Sequence, residues 1–260
     1  MRIAVVQTCP LFGQVAENVE AALMAMESRG ADLYVLPELF NTGYNFADVG
    51  EVEELSESVS GYTLHAVTAF ASKMSCYIVY GFAERADKLY NSSVLLGPSG
   101  LIGLYRKTHL YFRETLFFAP GDLGFPVYDV PFGKVGMMIC FDWMYPESAR
   151  SLALNGAQII AHPSNLVMPY CPDAMVTRCL ENRVFAATAN RVGVEDRAGI
   201  TLKYIGKSEI VSHKGEILHR LGETEPGIAV ADIDLSHATN KRINEYNDLF
   251  SGRQVERYVR

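Results

Sequence analysis

The strongest constraint in this chain is a motif that occurs twice. Gly30-Ala31-Asp32-Leu33-Tyr34-Val35-Leu36-Pro37-Glu38 is echoed by Gly156-Ala157-Gln158-Ile159-Ile160-Ala161-His162-Pro163-Ser164. Each copy follows a segment of helical periodicity, runs through a short apolar stretch and stops at a proline. Each of those helical segments is itself preceded by an apolar run, Ile3–Val6 in one half and Val135–Ile139 in the other. Runs this short and this apolar read as strands buried on both faces. Two strand–helix–strand halves are therefore expected. With apolar residues at 49% of the chain, they predict two packed sheets, each covered by helices.

The rest of the chain fits that plan. Strands are predicted at Arg2–Thr8, Leu33–Leu36, Cys76–Phe82, Asn91–Leu96, Leu101–Tyr105, Val135–Cys140 and Ile159–Ala161. Helices are predicted at Glu17–Arg29 (closed by a left-handed Gly30), Thr63–Ser75, Pro146–Asn155 and Ala174–Ala187. Ser208–Ser212, Ile217–Arg220 and Ile228–Asp234 read as a closing β-meander. Residues 1–260 read as one domain, with Asn240–Arg260 a charged, aromatic tail. Asp48–Glu57 carries five acids and no base, which suggests a solvated loop or helix face.

Charge and motif content narrow the function. With 23 basic and 30 acidic residues the net charge is −7, and no basic run offers a surface for nucleic acid or an anionic membrane. No apolar run approaches the ~18 residues of a membrane span. The opening residues read as a strand rather than a secretory signal. The five cysteines (Cys9, Cys76, Cys140, Cys171, Cys179) form no CxxC pair, so a cytoplasmic chain with free thiols is expected. There is no HExxH, GxxxxGK[ST], GxGxxG or GxSxG motif, and neither a metal site nor a nucleotide loop is expected.

Several reactive side chains stand at strand ends, where α/β proteins build their sites. Cys140 closes an apolar strand ahead of a helix beginning at Pro146, although a core cysteine would look the same. Glu38 follows Leu33–Pro37, where a carboxylate needs a partner or a task; a loop acid is the alternative. Lys107 ends Leu101–Tyr105-Arg106, as a catalytic cation or an exposed charge. Glu114 lies among Tyr111, Phe112, Phe117 and Phe118, in a pocket wall or an anchor loop. Together they suggest a scheme. A carboxylate of raised pKa takes the thiol proton, and a lysine stabilises the oxyanion formed when sulfur attacks a C–N carbon.

Three stretches resemble the signatures of the nitrilase superfamily, the carbon–nitrogen hydrolases. They are Tyr34–Phe40, Tyr105–Leu110 and Gly136–Glu147, in the family's order and at its separations. The likeness extends through Phe118–Gly121, His162–Asn165, Glu181–Arg183 and Ile205–Ser208. It implies a four-layer αββα sandwich and a triad of Glu38 as general base, Lys107 as stabilising cation and Cys140 as nucleophile. Glu114 matches the family's second glutamate, and the N–H of Phe141 would complete an oxyanion hole. The course implied is a thioester acyl-enzyme, release of ammonia or an amine, and attack by water, with no cofactor. Nitrile-cleaving members commonly carry Trp-Glu after the cysteine; here Phe141-Asp142 is closer to amidase-type members. A small aliphatic or ω-type amide is the expected substrate, with nitriles and N-carbamoyl amides as alternatives. Trp143, Tyr44 and Asn165 are the candidates to line its pocket.

Two rival readings stay open. A papain-like Cys–His hydrolase would use His109 or His162 as base, and a silent binding protein would use none of these groups. Family members associate through helices flanking the nucleophile, here Pro146–Asn155 and Ala174–Ala187, and the tail could wrap a neighbour. A homodimer or larger assembly is therefore expected. Sedimentation velocity should find a species heavier than one chain, and a single-chain mass alone would refute this.

Overall fold

The computed structural model describes residues 1–258; the last two positions of the predicted tail lie outside them. The first half runs β1 (Arg2–Gln7), α1 (Val15–Glu27), β2 (Leu33–Val35), α2 (Val49–Leu55), α3 (Tyr62–Met74), β3 (Tyr77–Arg85), β4 (Leu89–Gly97), β5 (Gly100–Arg106) and the single turn α4 (Glu114–Phe117). The second half runs β6 (Val127–Val130), β7 (Gly133–Met137), a 3-10 turn (Cys140–Met144), α5 (Pro146–Leu154), β8 (Ile159–Pro163), α6 (Cys171–Asn182) and β9 (Phe185–Ala189). It continues with β10 (Val194–Arg197), β11 (Ile200–Lys203), β12 (Glu209–Val211), β13 (Ile217–Arg220) and β14 (Gly227–Asp232).

Two six-stranded sheets result. One has the order β14-β1-β2-β3-β4-β5 and the other β13-β12-β9-β8-β7-β6. Read in opposite directions they match strand for strand, each with three central parallel strands flanked by antiparallel ones. The sequence echo survives at the level of single bonds. Asp32 N–H donates to the carbonyl of Arg2 and Gln158 N–H to that of Lys134. Leu33 stands beside Ile3 as Ile159 stands beside Val135.

Strand periodicity sets the layers. In β1, Ile3 and Val5 face the other sheet, while Ala4 and Val6 face Val19, Ala22 and Met26 of α1 and Val67, Phe70 and Ala71 of α3. On the far side, Ala149, Leu152 and Ala153 of α5 and Met175 and Cys179 of α6 close over the second sheet. The order is helices, sheet, sheet, helices: the expected αββα sandwich. Each fully buried aliphatic side chain in these layers is worth roughly 1.5–3 kcal/mol.

The structure departs from expectation at identifiable points. Gly30 has no positive φ; α1 ends at Ser28 in ordinary helical conformation, whereas Gly156 takes the left-handed conformation at φ +95°. The helix predicted over Ala174–Ala187 stops at Asn182, because Arg183 turns left-handed at φ +46°. Phe185–Ala189 is strand β9, whose small residues sit fully buried between neighbours. High helix propensity at Ala186 and Ala187 is overridden by that burial. The closing meander is divided: β12 and β13 pair with each other, but β14 crosses to the first sheet and pairs antiparallel with β1. Its alternation explains the crossing, since Ile228 and Val230 face the helices while Ala229 and Ala231 face the inter-sheet core. Strands β6, β10 and β11 were not anticipated. The acidic stretch holds helix α2, with Asp48 accepting from Glu51 N–H at 3.1 Å as N-cap. The tail begins anchored to its own chain, where Lys241 Nζ donates to the carbonyls of Asn182 and Arg183, each at 3.0 Å.

One glycine ties the sheet to the Glu38 segment. A Cβ on Gly81 would stand 2.6 Å from Glu38 Cα and 3.0 Å from Leu39 N, against backbone that has nowhere to move. Gly81→Ala is expected to destabilise the protein by about 1–3 kcal/mol, as overpacked cores do, read as a lowered urea midpoint. An unchanged midpoint would show that the approach is slack.

Candidate active site

Lys107 emerges from β5 at the rim of the sandwich and is wholly buried there. Its backbone is pinned from both sides: its N–H donates to Asn91 O and its carbonyl accepts from Gly121 N–H, each at 2.8 Å. Only glycine fits at 121, where a Cβ would lie 2.0 Å from Arg106 O. Held this way, Lys107 Nζ donates to Glu38 Oε1 at 2.6 Å and to Glu114 Oε1 at 2.7 Å. Glu38 arrives from the end of β2, and Glu114 from the first turn of α4. Asn91 Nδ2 donates to Glu38 Oε1 at 2.7 Å. Tyr44 OH donates to Glu114 Oε1 at 2.6 Å, and Tyr111 N–H donates to Glu114 Oε2 at 3.3 Å. Glu38 Oε2 is buried without a partner.

Two carboxylates and one ammonium out of water make a tightly coupled group. Burial pushes the Glu38 carboxyl up to about 7, with Lys107 pulling it down and Glu114 adding to the rise. Burial alone would lower the Lys107 ammonium, but the charges of Glu114 and Glu38 outweigh it and hold it protonated. At neutral pH Lys107 is thus a fixed cation, and Glu38 is poised to hold or release a proton.

Cys140 comes from the other sheet, three residues past Met137 at the end of β7. It adopts φ +39°, a conformation side chains avoid unless their surroundings impose it. Asp142 imposes it. Its Oδ2 accepts from Ile139 N–H at 2.9 Å and from Tyr105 OH at 2.7 Å. Its Oδ1 lies 3.1 Å from His109 N–H and 2.8 Å from His109 Nδ1. The Cys140 carbonyl accepts from His162 Nε2 at 2.9 Å, so that nitrogen carries the hydrogen and Nδ1 faces Thr188 Oγ1 at 3.1 Å. Burial lowers His162 to about 4, leaving it neutral. Glu38, Lys107 and Glu114 lie close enough to Cys140 for their charges to act on its thiol. Burial raises that thiol well above its ordinary value, Glu38 raises it further, and Lys107 and the backbone N–H of Asn165 oppose them. α5 begins beyond an intervening turn, and desolvation dominates the thiol.

Cys140, Phe141, Trp143 and Asn165 border one cavity, completed by Tyr111 and the segment from Leu166 to Met168. Asn165 Nδ2 donates to Glu38 O at 2.9 Å, while its Oδ1 is buried and unpartnered. Tyr44 stands behind the glutamates and not on this cavity. The two histidines of the Cys–His reading are committed elsewhere, His162 to the Cys140 carbonyl and His109 to Asp142. Asn91, Tyr105 and Asp142 belong to the site and escaped sequence reasoning, while His162, read there as a candidate base, serves instead to hold the Cys140 carbonyl. The one available signal was a polar or charged residue inside an apolar strand or turn, as at Asn91 and Asp142. A further support is equally hidden: Glu195 of β10 accepts from Asn45 N–H at 2.8 Å and from Tyr44 N–H at 3.2 Å, fixing the loop that carries Tyr44.

Known proteins resemble this chain in both sequence and fold. The family model described as carbon–nitrogen hydrolase matches residues 2–243. A protein named nitrilase from Pyrococcus abyssi is 51% identical, with 100% of each chain covered. An (R)-stereoselective amidase from a Pseudomonas species is 33% identical over 98% of this chain and 95% of its own. The crystal structure of a carbon–nitrogen hydrolase from Helicobacter pylori superposes with a TM-score of 0.85 at 27% identity, covering 92% of this chain and 90% of that one. The sandwich, its strand order and these likenesses lead to one statement: the chain belongs to the carbon–nitrogen hydrolase family, the nitrilase superfamily.

Proposed function

We propose that this hydrolase cleaves the C–N bond of a small amide through a thioester on Cys140, releasing ammonia and a carboxylic acid. The observation that carries the reading is the buried Lys107 ammonium, shared between Glu38 and Glu114 and facing a cysteine held at positive φ. Because the thiol is neutral at rest, proton loss and attack are coupled: Glu38 takes the sulfur's proton as sulfur bonds to the carbonyl carbon. The oxyanion that forms is met by Lys107 and by the N–H of Phe141, which has no intrahelical acceptor at the start of its turn. Glu38 returns its proton to the departing nitrogen and the C–N bond breaks. The same carboxylate then activates water, which adds to the thioester, and the acid leaves with the thiol restored. Glu114 holds the lysine in place and completes the charge balance. No step calls on a metal or organic cofactor.

Two unpaired buried acceptors, Glu38 Oε2 and Asn165 Oδ1, favour an amide, whose –NH2 supplies hydrogens to such atoms; a nitrile supplies none. A nitrile is the second reading, favoured by the 51% identity to the Pyrococcus abyssi nitrilase. A silent binding protein is disfavoured on energetic grounds, because a buried charged centre is a burden on stability where apolar packing would serve.

Substitution separates the triad from the Cys–His scheme. Cys140→Ala should abolish ammonia release from small amides while leaving the thermal unfolding curve cooperative. Lys107→Ala should lower kcat by ~10²–10³, the usual scale for losing an oxyanion partner. His109→Ala should keep the rate within about tenfold, because its ring touches Asp142 and not the reacting atoms. Loss of turnover in the histidine variant with tolerance of Lys107→Ala would reverse the assignment. The pH profile follows from Glu38, which must be ionised to act and whose carboxyl sits at about 7. kcat/KM should therefore fall as the pH drops through about 7, and a limb near the ordinary carboxylate value would remove Glu38 as the base.

A further inference from the structure

The wall of the Cys140 cavity carries information about the acyl half of the substrate. The space is small, about 240 Å³ even with its open mouth counted in. Beyond Cys140 and Asn165 its lining is Tyr111, Phe141, Trp143, Leu166, Val167 and Met168. Among the described residues, no charged side chain lines it. The nearby ions are committed to other partners. Arg178 Nε donates to Trp143 O at 3.4 Å and its Nη1 pairs with Glu181 at 3.2 Å. Arg113 Nη2 donates to Ala47 O at 2.7 Å. Glu38 and Glu114 are both engaged by Lys107. The polar capacity of the cavity is thus gathered at one end, beside the sulfur, and its far walls are carbon, sulfur and aromatic ring.

We infer, building on the amide hydrolase reading, that the enzyme takes compact primary amides whose acyl group is uncharged and apolar, and that it rejects amides bearing a second carboxylate or an ammonium. A charged acyl group would lose its water against these walls with no counter-ion to meet it. The rejection is electrostatic rather than steric, so it is strong even between molecules of the same length. Phe141, Trp143 and Met168 are the specificity-determining side chains, and Met168, which is only partly buried, is the long and flexible one.

The test uses three amides that share a four-carbon chain: butyramide, succinamate with its terminal carboxylate, and 4-aminobutyramide with its terminal ammonium. Ammonia release by the full-length protein gives kcat/KM for each. Butyramide should exceed both charged amides by at least ~100-fold, the scale of an unpaired buried charge. A preference below about tenfold would overturn the inference while leaving the hydrolase reading standing. Ammonia from none of the three, with no mass increment on Cys140, would overturn both. Met168→Arg supplies the missing counter-charge on a longer, equally unbranched stem. It should raise the succinamate-to-butyramide ratio of kcat/KM by at least ~10-fold, with a thermal melt confirming that the variant is folded. An unchanged ratio in the folded variant would show that this wall does not contact the acyl group.

Discussion

The structure is organised around one buried ammonium. Lys107 has no water to solvate it, so its charge survives only because two carboxylates lie within 2.7 Å of Nζ. Removing the ammonium would leave two carboxylates facing each other without a cation in a low-dielectric setting, which is far costlier than a missing surface pair. The partners come from remote parts of the chain: Glu38 ends β2, Glu114 begins α4, and Asn91 of β4 steadies the first. Each is held by a second set of contacts. Gly81 and Gly121 let backbones approach, Tyr44 anchors Glu114, and Glu195 on the β10–β11 hairpin anchors the Tyr44 loop. Much of what looks like incidental architecture serves to hold three charges in register.

Cys140, the proposed nucleophile, is arranged by a separate device. Asp142 gathers Ile139, Tyr105 and His109 around the turn that bears Cys140 and so stabilises a backbone conformation a side-chain-bearing residue otherwise avoids. His162, neutral and fully buried, holds the Cys140 carbonyl from the other side. Neither histidine is available to the sulfur as a base. Burial keeps the thiol protonated, and the same burial raises Glu38 toward neutrality. On the proposed mechanism, a carboxyl raised in this way is a stronger base for the sulfur's proton at the moment of attack. A pre-formed thiolate would instead be a standing charge in an already anionic centre.

Internal duplication explains why the site is asymmetric in a nearly symmetric frame. The two sheets correspond strand for strand, so β2 corresponds to β8. At the end of β2 stands Pro37-Glu38, and at the end of β8 stands Pro163-Ser164. The acid is in one copy only. His162 of the second copy occupies the position of Leu36 and has become a clamp on the nucleophile's backbone. On the proposed mechanism, a shared scaffold is thus divided between proton transfer in one half and support of Cys140 in the other.

Much was legible along the chain. The apolar runs, their spacing and the twofold echo determined most of the strands, the main helices that cover them, and that Glu38, Lys107 and Cys140 stand at strand ends. These are local properties, set by side-chain alternation, proline placement and burial of short apolar runs. The course of β14 to the other sheet, the conversion of 185–189 from helix to strand, and the β10–β11 hairpin depended on partners far away in sequence. So did the roles of Asn91, Asp142 and His162, whose side chains look ordinary until their neighbours are known. The proton affinities belong to this second class as well. Hydrophobic patterning is written in consecutive residues, whereas desolvation and Coulomb interaction arise only when remote residues share a site, and that convergence was decided by the tertiary structure.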